Sequence, residues 1–265
     1  MSPLYFVIAL PAEARPLLRA YQLKQVAGNH PFPLYQRDQI WLIVSGIGKT
    51  LAAAATAYLG AIAGMREAGI WLNIGIAGHS HLPIGSAYLA HSIEEFTTGN
   101  RWFPQCLCKA PWPSHPLLTN DTIETNYTSE SLFDMEAAGF FRMASKLSTL
   151  EFIHSIKIVS DSNIAEAQAL TPALAEQWIG NQIGAIKQFI EQLQALTISG
   201  EATHTLQTLL EQLSERFHLS VTEQHQTKIR LQKMQALQLE PLTYPWGNIA
   251  DRKLFKLQLA KVDLL

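Results

Sequence analysis

The chain has 265 residues, 48% of them hydrophobic and 16% charged, with a net charge of −2 from 20 Lys and Arg against 22 Asp and Glu. That length suits one large domain, or one domain with an appendage, and the apolar share excludes a disordered chain. The charge balance gives no global pull toward nucleic acid or an anionic membrane, and two cysteines exclude a disulfide-rich secreted scaffold.

The first element is the apolar run at 4–10 (LYFVIAL), of strand length. No basic residue precedes it, so no secretory signal is expected. Further strand-length runs lie at 40–44 (IWLIV), 70–76 (IWLNIGI), 86–93 (SAYLAHSI) and 153–159 (IHSIKIV). Continuous apolar runs predict strands buried on both faces of a sheet. Between them, residues 50–63 are dense in Ala and Leu, 131–147 carry apolar residues at helical spacing, and 171–196 form an amphipathic stripe. The alternation predicts an α/β domain with a mostly parallel sheet. The longest soft apolar run, 51–65, is too short to span a bilayer, so no membrane partner is expected and the chain reads as cytoplasmic.

Residues 95–130 carry Pro104, Pro111, Pro113 and Pro116 and predict an irregular excursion around a short strand at 117–123. Composition shifts near Ser199-Gly200. From there to 265 the chain reads as a helical appendage, with stripes at Leu206, Leu209, Leu210, Leu213 and Phe217 and at Ile229, Leu231, Met234, Leu237 and Leu239, and a turn at 241–247. The domains are thus expected at 1–197 and 200–265.

Two glycine-rich segments follow predicted strands. Ser45-Gly-Ile-Gly-Lys-Thr50 ends like a P-loop, but position 43 is Ile where that motif needs Gly, and Leu51 stands where a dinucleotide turn needs a third Gly. What remains is a turn whose backbone N–H groups could face a ligand, or a plain strand-to-helix turn. Asn73-Ile-Gly-Ile-Ala-Gly78 reads as a second such turn. Ligands of parallel sheets bind beyond the carboxyl ends of strands. Three carboxylates stand in apolar surroundings near such ends: Glu13, Glu136 and Asp161. An apolar setting raises a carboxyl pKa and suits acid or base work, while a helix cap or a solvated acid is the ordinary alternative for each. Cys106 and Cys108 with His79, His81, His91 and His115 match no familiar zinc spacing, so no metal is expected. No Gly-x-Ser-x-Gly element is present.

In order, Ala9-Leu-Pro-Ala-Glu13, Ser45-Gly-Ile-Gly-Lys49, Asn73-Ile-Gly-Ile-Ala-Gly78, Asp134-Met-Glu-Ala-Ala138 and Val159-Ser-Asp161 resemble the motifs of the nucleoside phosphorylase/nucleosidase superfamily. The resemblance spans about residues 4–195 and is greatest to the methylthioadenosine/S-adenosylhomocysteine nucleosidase branch. It implies a three-layer phosphorylase-type fold with a central, mostly parallel mixed sheet flanked by helices. It also implies hydrolysis of a purine nucleoside's N-glycosidic bond, with an adenine base and a modified 5′ group. Asp161 would protonate the base, Glu13 would activate water and Glu136 would bind the ribose hydroxyls. Met135 would pack under the sugar, with Ser45, Gly46, Ile76, Ala77, Gly78, Ile123 and Ser160 completing the substrate site. No metal or organic cofactor is implied; a homodimer is, with the second subunit touching the 5′ end. Phosphate as the nucleophile is the alternative, and a non-catalytic nucleoside-binding or scaffold protein is the second. Neither glycine segment carries an Arg, which favours water; Lys49 and Arg15 are the nearby cations. Three features depart from the pattern: a shorter, Pro-rich stretch before Met135, Ile123 where the family stacks an aromatic ring, and His79 in place of a glycine.

Overall fold

A computed structural model of the chain describes residues 2–64, 69–124, 127, 129–236, 244, 246, 249 and 251–260. The chain divides into two compact units, Met1–Ala195 and Leu196–Leu265. In chain order the elements are β1 (Leu4–Ile8), α1 (Pro11–Tyr21), β2 (Lys24–Gln25), β3 (Leu34–Arg37), β4 (Ile40–Val44) and α2 (Lys49–Ala63). Next come β5 (Ile70–Gly78), β6 (Ala87–Glu95), β7 (Arg101–Trp102), β8 (Ser114–Thr119), β9 (Leu132–Asp134), α3 (Ala137–Ala144) and β10 (Ile153–Asp161). The helices α4 (Ile164–Ala169), α5 (Pro172–Asn181), α6 (Ile183–Phe217), α7 (Val221–Ala236) and α8 (Arg252–Ala260) follow.

The first unit is α/β. Its strands form one sheet in the order β10-β6-β8-β9-β5-β1-β4-β3-β2, with β7 on β6. β1 lies parallel to both β4 and β5, and β5 lies parallel to β10. Every residue of β1 and β10 is buried, which explains why both read as continuous apolar runs. β10 also pairs with β5, so β5, β10, β6, β8 and β9 close into a ring. The sheet is mixed: β5–β9, β6–β10 and β3–β4 are antiparallel. Tyr5 and Trp71 stack across neighbouring strands at 4.2 Å between ring centroids, within a core that also takes Leu59, Phe140 and Phe141 from α2 and α3.

Several boundaries differ from expectation. The stretch 131–147 is not one helix: Leu132–Asp134 is strand β9, and helix begins only at Ala137. Leu132 and Phe133 give both periods an apolar match, and pairing with β8 and with Gly78 of β5 decides for strand. The segment 73–78 is not a turn but the end of β5, so its glycines serve close approach rather than reversal. The strand expected at 117–123 is β8, which ends at Thr119. The amphipathic stripe at 171–196 breaks at Gln182 between α5 and α6, where Gly180 and Gly184 weaken the helix. The compositional shift at 199–200 falls inside α6.

The second unit has its own core. Leu210, Leu213 and Phe217 of α6 pack with Leu231 and Met234 of α7 and with Phe255 and Leu259 of α8. Phe217 and Phe255 stack at 4.5 Å between centroids, and Trp246 lies edge-on to Phe255. Leu237, Leu239 and most of the turn expected at 241–247 lie outside the described residues. No helix among the described residues is long and apolar enough to cross a membrane.

Candidate active site

The last three residues of β5 organise the site. The Ile76 N–H donates to Glu13 Oε1 at 2.9 Å, the Ala77 carbonyl accepts from Ser160 Oγ at 3.2 Å, and Gly78 pairs with Asp161. Glu13 lies in the first turn of α1, and its other oxygen accepts from the Leu10 N–H at 2.9 Å. Glu13 as a whole is 2% exposed. Burial raises its pKa, against the two backbone donors and Lys157, which lower it.

Asp161 reaches the site because β10 bulges. Val159 pairs with Ala77 and Asp161 with Gly78, so Ser160 is the extra residue and Asp161 is re-aimed. Ser160 Oγ lies 2.5 Å from Asp161 Oδ1. Tyr127 donates its hydroxyl to Asp161 Oδ2.

Glu136 stands at the start of α3, 8% exposed, and accepts from the Gly48 N–H at 2.8 Å. Gly48 precedes α2 with φ +106°, a conformation that suits glycine, and it turns that N–H toward the carboxylate. The positive end of α2 then favours the negative charge. The approach of α3 to α2 depends on Gly139, where a side chain would collide with the Lys49 carbonyl. Burial and the neighbouring Asp134 carboxylate push Glu136 up to about 7, with Lys157 and the Gly48 N–H opposing.

Lys157 on β10 is 1% exposed and lies 2.8 Å from Asp134 Oδ2. Asp134 also accepts from Thr119 Oγ1 at 2.7 Å and from the Ala137 N–H at 2.9 Å. Burial pulls Lys157 down, but Asp134, Glu136 and Glu13 outweigh it and hold the ammonium above its ordinary value. One buried cation thus faces three carboxylates. A lysine in the middle of an apolar strand run (IHSIKIV) is a signal of this, because a buried charge requires a partner. Tyr127 gave no such signal, since it lies in the irregular 95–130 stretch.

Ser45 is buried, its N–H bonded to the Ile8 carbonyl at 2.8 Å, and the Gly46 N–H reaches the Ala9 carbonyl at 3.1 Å. Met135 is half-buried between Asp134 and Glu136. Ile123 lies beyond the end of β8 with 66% of its surface exposed. Lys49 is taken by Glu95 at 2.6 Å and Asp121 at 2.9 Å, and Arg15 by Glu176 at 2.9 Å.

His79 follows β5 and is fully buried. With His81 and Glu130 it forms a group whose potential ligand atoms lie within 4.8 Å of one another. Its Nδ1, however, accepts from the His81 and Leu82 N–H groups, both at 3.2 Å. The proton therefore sits on Nε2, which points to the Glu130 carbonyl at 3.3 Å. A metal on that nitrogen would require an imidazolate, so His79 serves as a structural anchor. Cys106 and Cys108 are free thiols outside this group.

The architecture matches solved nucleosidases. Methylthioadenosine/S-adenosylhomocysteine nucleosidase from Neisseria meningitidis, in complex with methylthio-immucillin-A, aligns over 71% of this chain and 100% of its own, with a TM-score of 0.59 and 18% identity. Methylthioadenosine nucleosidase from Arabidopsis thaliana aligns over 73% and 96%, with a TM-score of 0.60 and 19% identity. A futalosine hydrolase mutant from Helicobacter pylori aligns over 72% and 99%, with a TM-score of 0.59 and 13% identity. The chain has the nucleoside phosphorylase/nucleosidase fold. No family model matches the chain and no curated sequence does. At such identities the likeness establishes the fold, and the chemistry rests on the residues themselves.

Proposed function

We propose that the chain hydrolyses the N-glycosidic bond of a purine nucleoside, with an adenine base and a modified 5′ group. The observation that carries this is the arrangement at Ile76–Gly78, where three consecutive residues hold Glu13, Ser160 and Asp161 at one strand end. In the reaction the C1′–N9 bond breaks and a water oxygen bonds to C1′. Asp161 acts as the general acid, giving a proton to N7, so the base departs neutral. Glu13 takes a proton from the attacking water, a task suited to a carboxylate whose pKa burial has raised. Glu136, ionised, accepts the ribose hydroxyls and orients the sugar as positive charge develops at C1′. Met135 lines the sugar.

Water is favoured over phosphate as nucleophile by the charges in place. Lys49 and Arg15 are each neutralised by carboxylates. Lys157, buried on β10, is held by Asp134. Glu13 and Glu136 would meet an incoming phosphate dianion with like charge.

The proposed role of Glu136 sets the pH dependence. Ionisation frees both of its oxygens as acceptors and makes them stronger partners for the ribose hydroxyls, so kcat/KM for nucleoside is expected to rise as pH increases through about 7. Glu136→Gln should flatten that limb while lowering activity. Stability moves the opposite way: a folded-state pKa above the unfolded value contributes stability that is full at low pH and lost as pH rises through about 7. A rate profile flat between pH 5 and 8 in the unaltered protein would contradict the assignment.

A further inference from the structure

Tyr127 stands in the site and takes no part in the chemistry above. Its hydroxyl donates to Asp161 Oδ2, and its ring lies against Gly78, where any side chain would collide with the phenol. On another side the ring meets Phe133 at 5.1 Å between centroids, with planes inclined at 45°. Phe133 is the residue that β9 pairs with Gly78. Nearby, Asn120 Nδ2 donates to Glu124 at 2.8 Å, and His79 and His115 converge on the Glu130 carbonyl at 3.3 and 2.5 Å. With Ser160 Oγ on Oδ1, both oxygens of Asp161 face hydroxyl groups.

A base that receives a proton from Asp161 must bring a ring nitrogen within hydrogen-bond distance of that carboxyl group. It then has to lie beside Gly78 and Phe133, where the phenol lies. Resting on the nucleosidase reading, we infer that Tyr127 is an internal competitor for the base subsite: it holds Asp161 while the subsite is vacant and is displaced by the base of a nucleoside. Two consequences follow from mass action. Any ligand carrying a base binds more weakly than its contacts alone would allow, by the fraction of molecules in which Tyr127 has withdrawn. The free base released by the reaction meets the same competitor, so the returning hydroxyl assists its departure.

The test is calorimetric titration of the full chain with adenine and with 7-deazaadenine, neither of which can be turned over. A hydrogen bond to a carboxylate lost on binding weakens affinity by about tenfold. Tyr127→Phe should therefore bind adenine about tenfold more tightly than the unaltered protein. It should bind 7-deazaadenine more tightly by the same factor, because the displaced group is the same for both. Tyr127→Ala, which also clears the space beside Gly78, should tighten binding too, and inhibition of turnover by adenine should strengthen in step. Unchanged adenine affinity in Tyr127→Phe would overturn the inference and leave the nucleosidase reading intact. Weaker binding by Tyr127→Ala would also overturn it, making the ring a platform on which the base stacks. Failure of adenine to bind any of the three proteins would overturn both the purine assignment and the inference that rests on it.

Discussion

Asp161→Asn is expected to lower the rate of base release by about 10²–10⁴-fold while leaving nucleoside affinity within a few-fold. The substitution keeps the shape of the side chain and the bulge that aims it, since Asp161 pairs with Gly78 through the backbone. What it removes, on the proposed mechanism, is the proton delivered to N7. Without that proton the base must leave as an anion, and the barrier rises accordingly. Rates under single turnover, with affinity measured separately, separate the two effects. If the chain only binds nucleosides, the variant would match the unaltered protein in affinity and neither would release base. If the variant retained most of the unaltered rate, the proton would have to come from elsewhere.

Lys157→Met should produce the largest loss of stability. Removing the ammonium leaves Asp134 charged and buried without its ion-pair partner, at a cost of about 3–5 kcal/mol. The loss would be read from the denaturant midpoint. Asp134→Asn combined with Lys157→Met should recover part of it, because the unpaired charge is then gone. The pair also bears on function: Lys157 opposes the upward shift of Glu136, so its removal should push the acid limb of the rate profile to higher pH. A loss below about 1 kcal/mol for the single variant would mean that water reaches Asp134 and that the interior is wetter than its burial indicates.

Much of this arrangement was legible because strands buried on both faces announce themselves as unbroken apolar runs. β1, β4, β5, β6 and β10 appear within about two residues of where LYFVIAL, IWLIV, IWLNIGI, SAYLAHSI and IHSIKIV place them. Glu13, Glu136 and Asp161 stood out for the same reason, as charges in apolar surroundings. What was not legible depends on long-range pairing. β9 has only three residues, and its strand character comes from Gly78 and β8, far away in sequence. The closure of β5, β10, β6, β8 and β9 into a ring has no local signature. The short β2 and β3 lack apolar runs, and Tyr127 is defined by its contact with Asp161, which no spacing rule anticipates. Lys157 could have been found: its place in an apolar strand required a buried partner, and Asp134, next to Met135 in the quoted motif, supplies it.

One assay reads both whether the chain turns over a nucleoside and which nucleophile it uses. The most direct measurement is adenine release from methylthioadenosine, adenosylhomocysteine, 5′-deoxyadenosine and adenosine, each in phosphate-free buffer and again with phosphate added. Release is expected without phosphate, at a rate that added phosphate leaves unchanged, because Lys49 and Arg15 are occupied by carboxylates and, in their proposed roles, Glu13 and Glu136 would repel a phosphate dianion. Release only when phosphate is present, with a ribose 1-phosphate product, would contradict it.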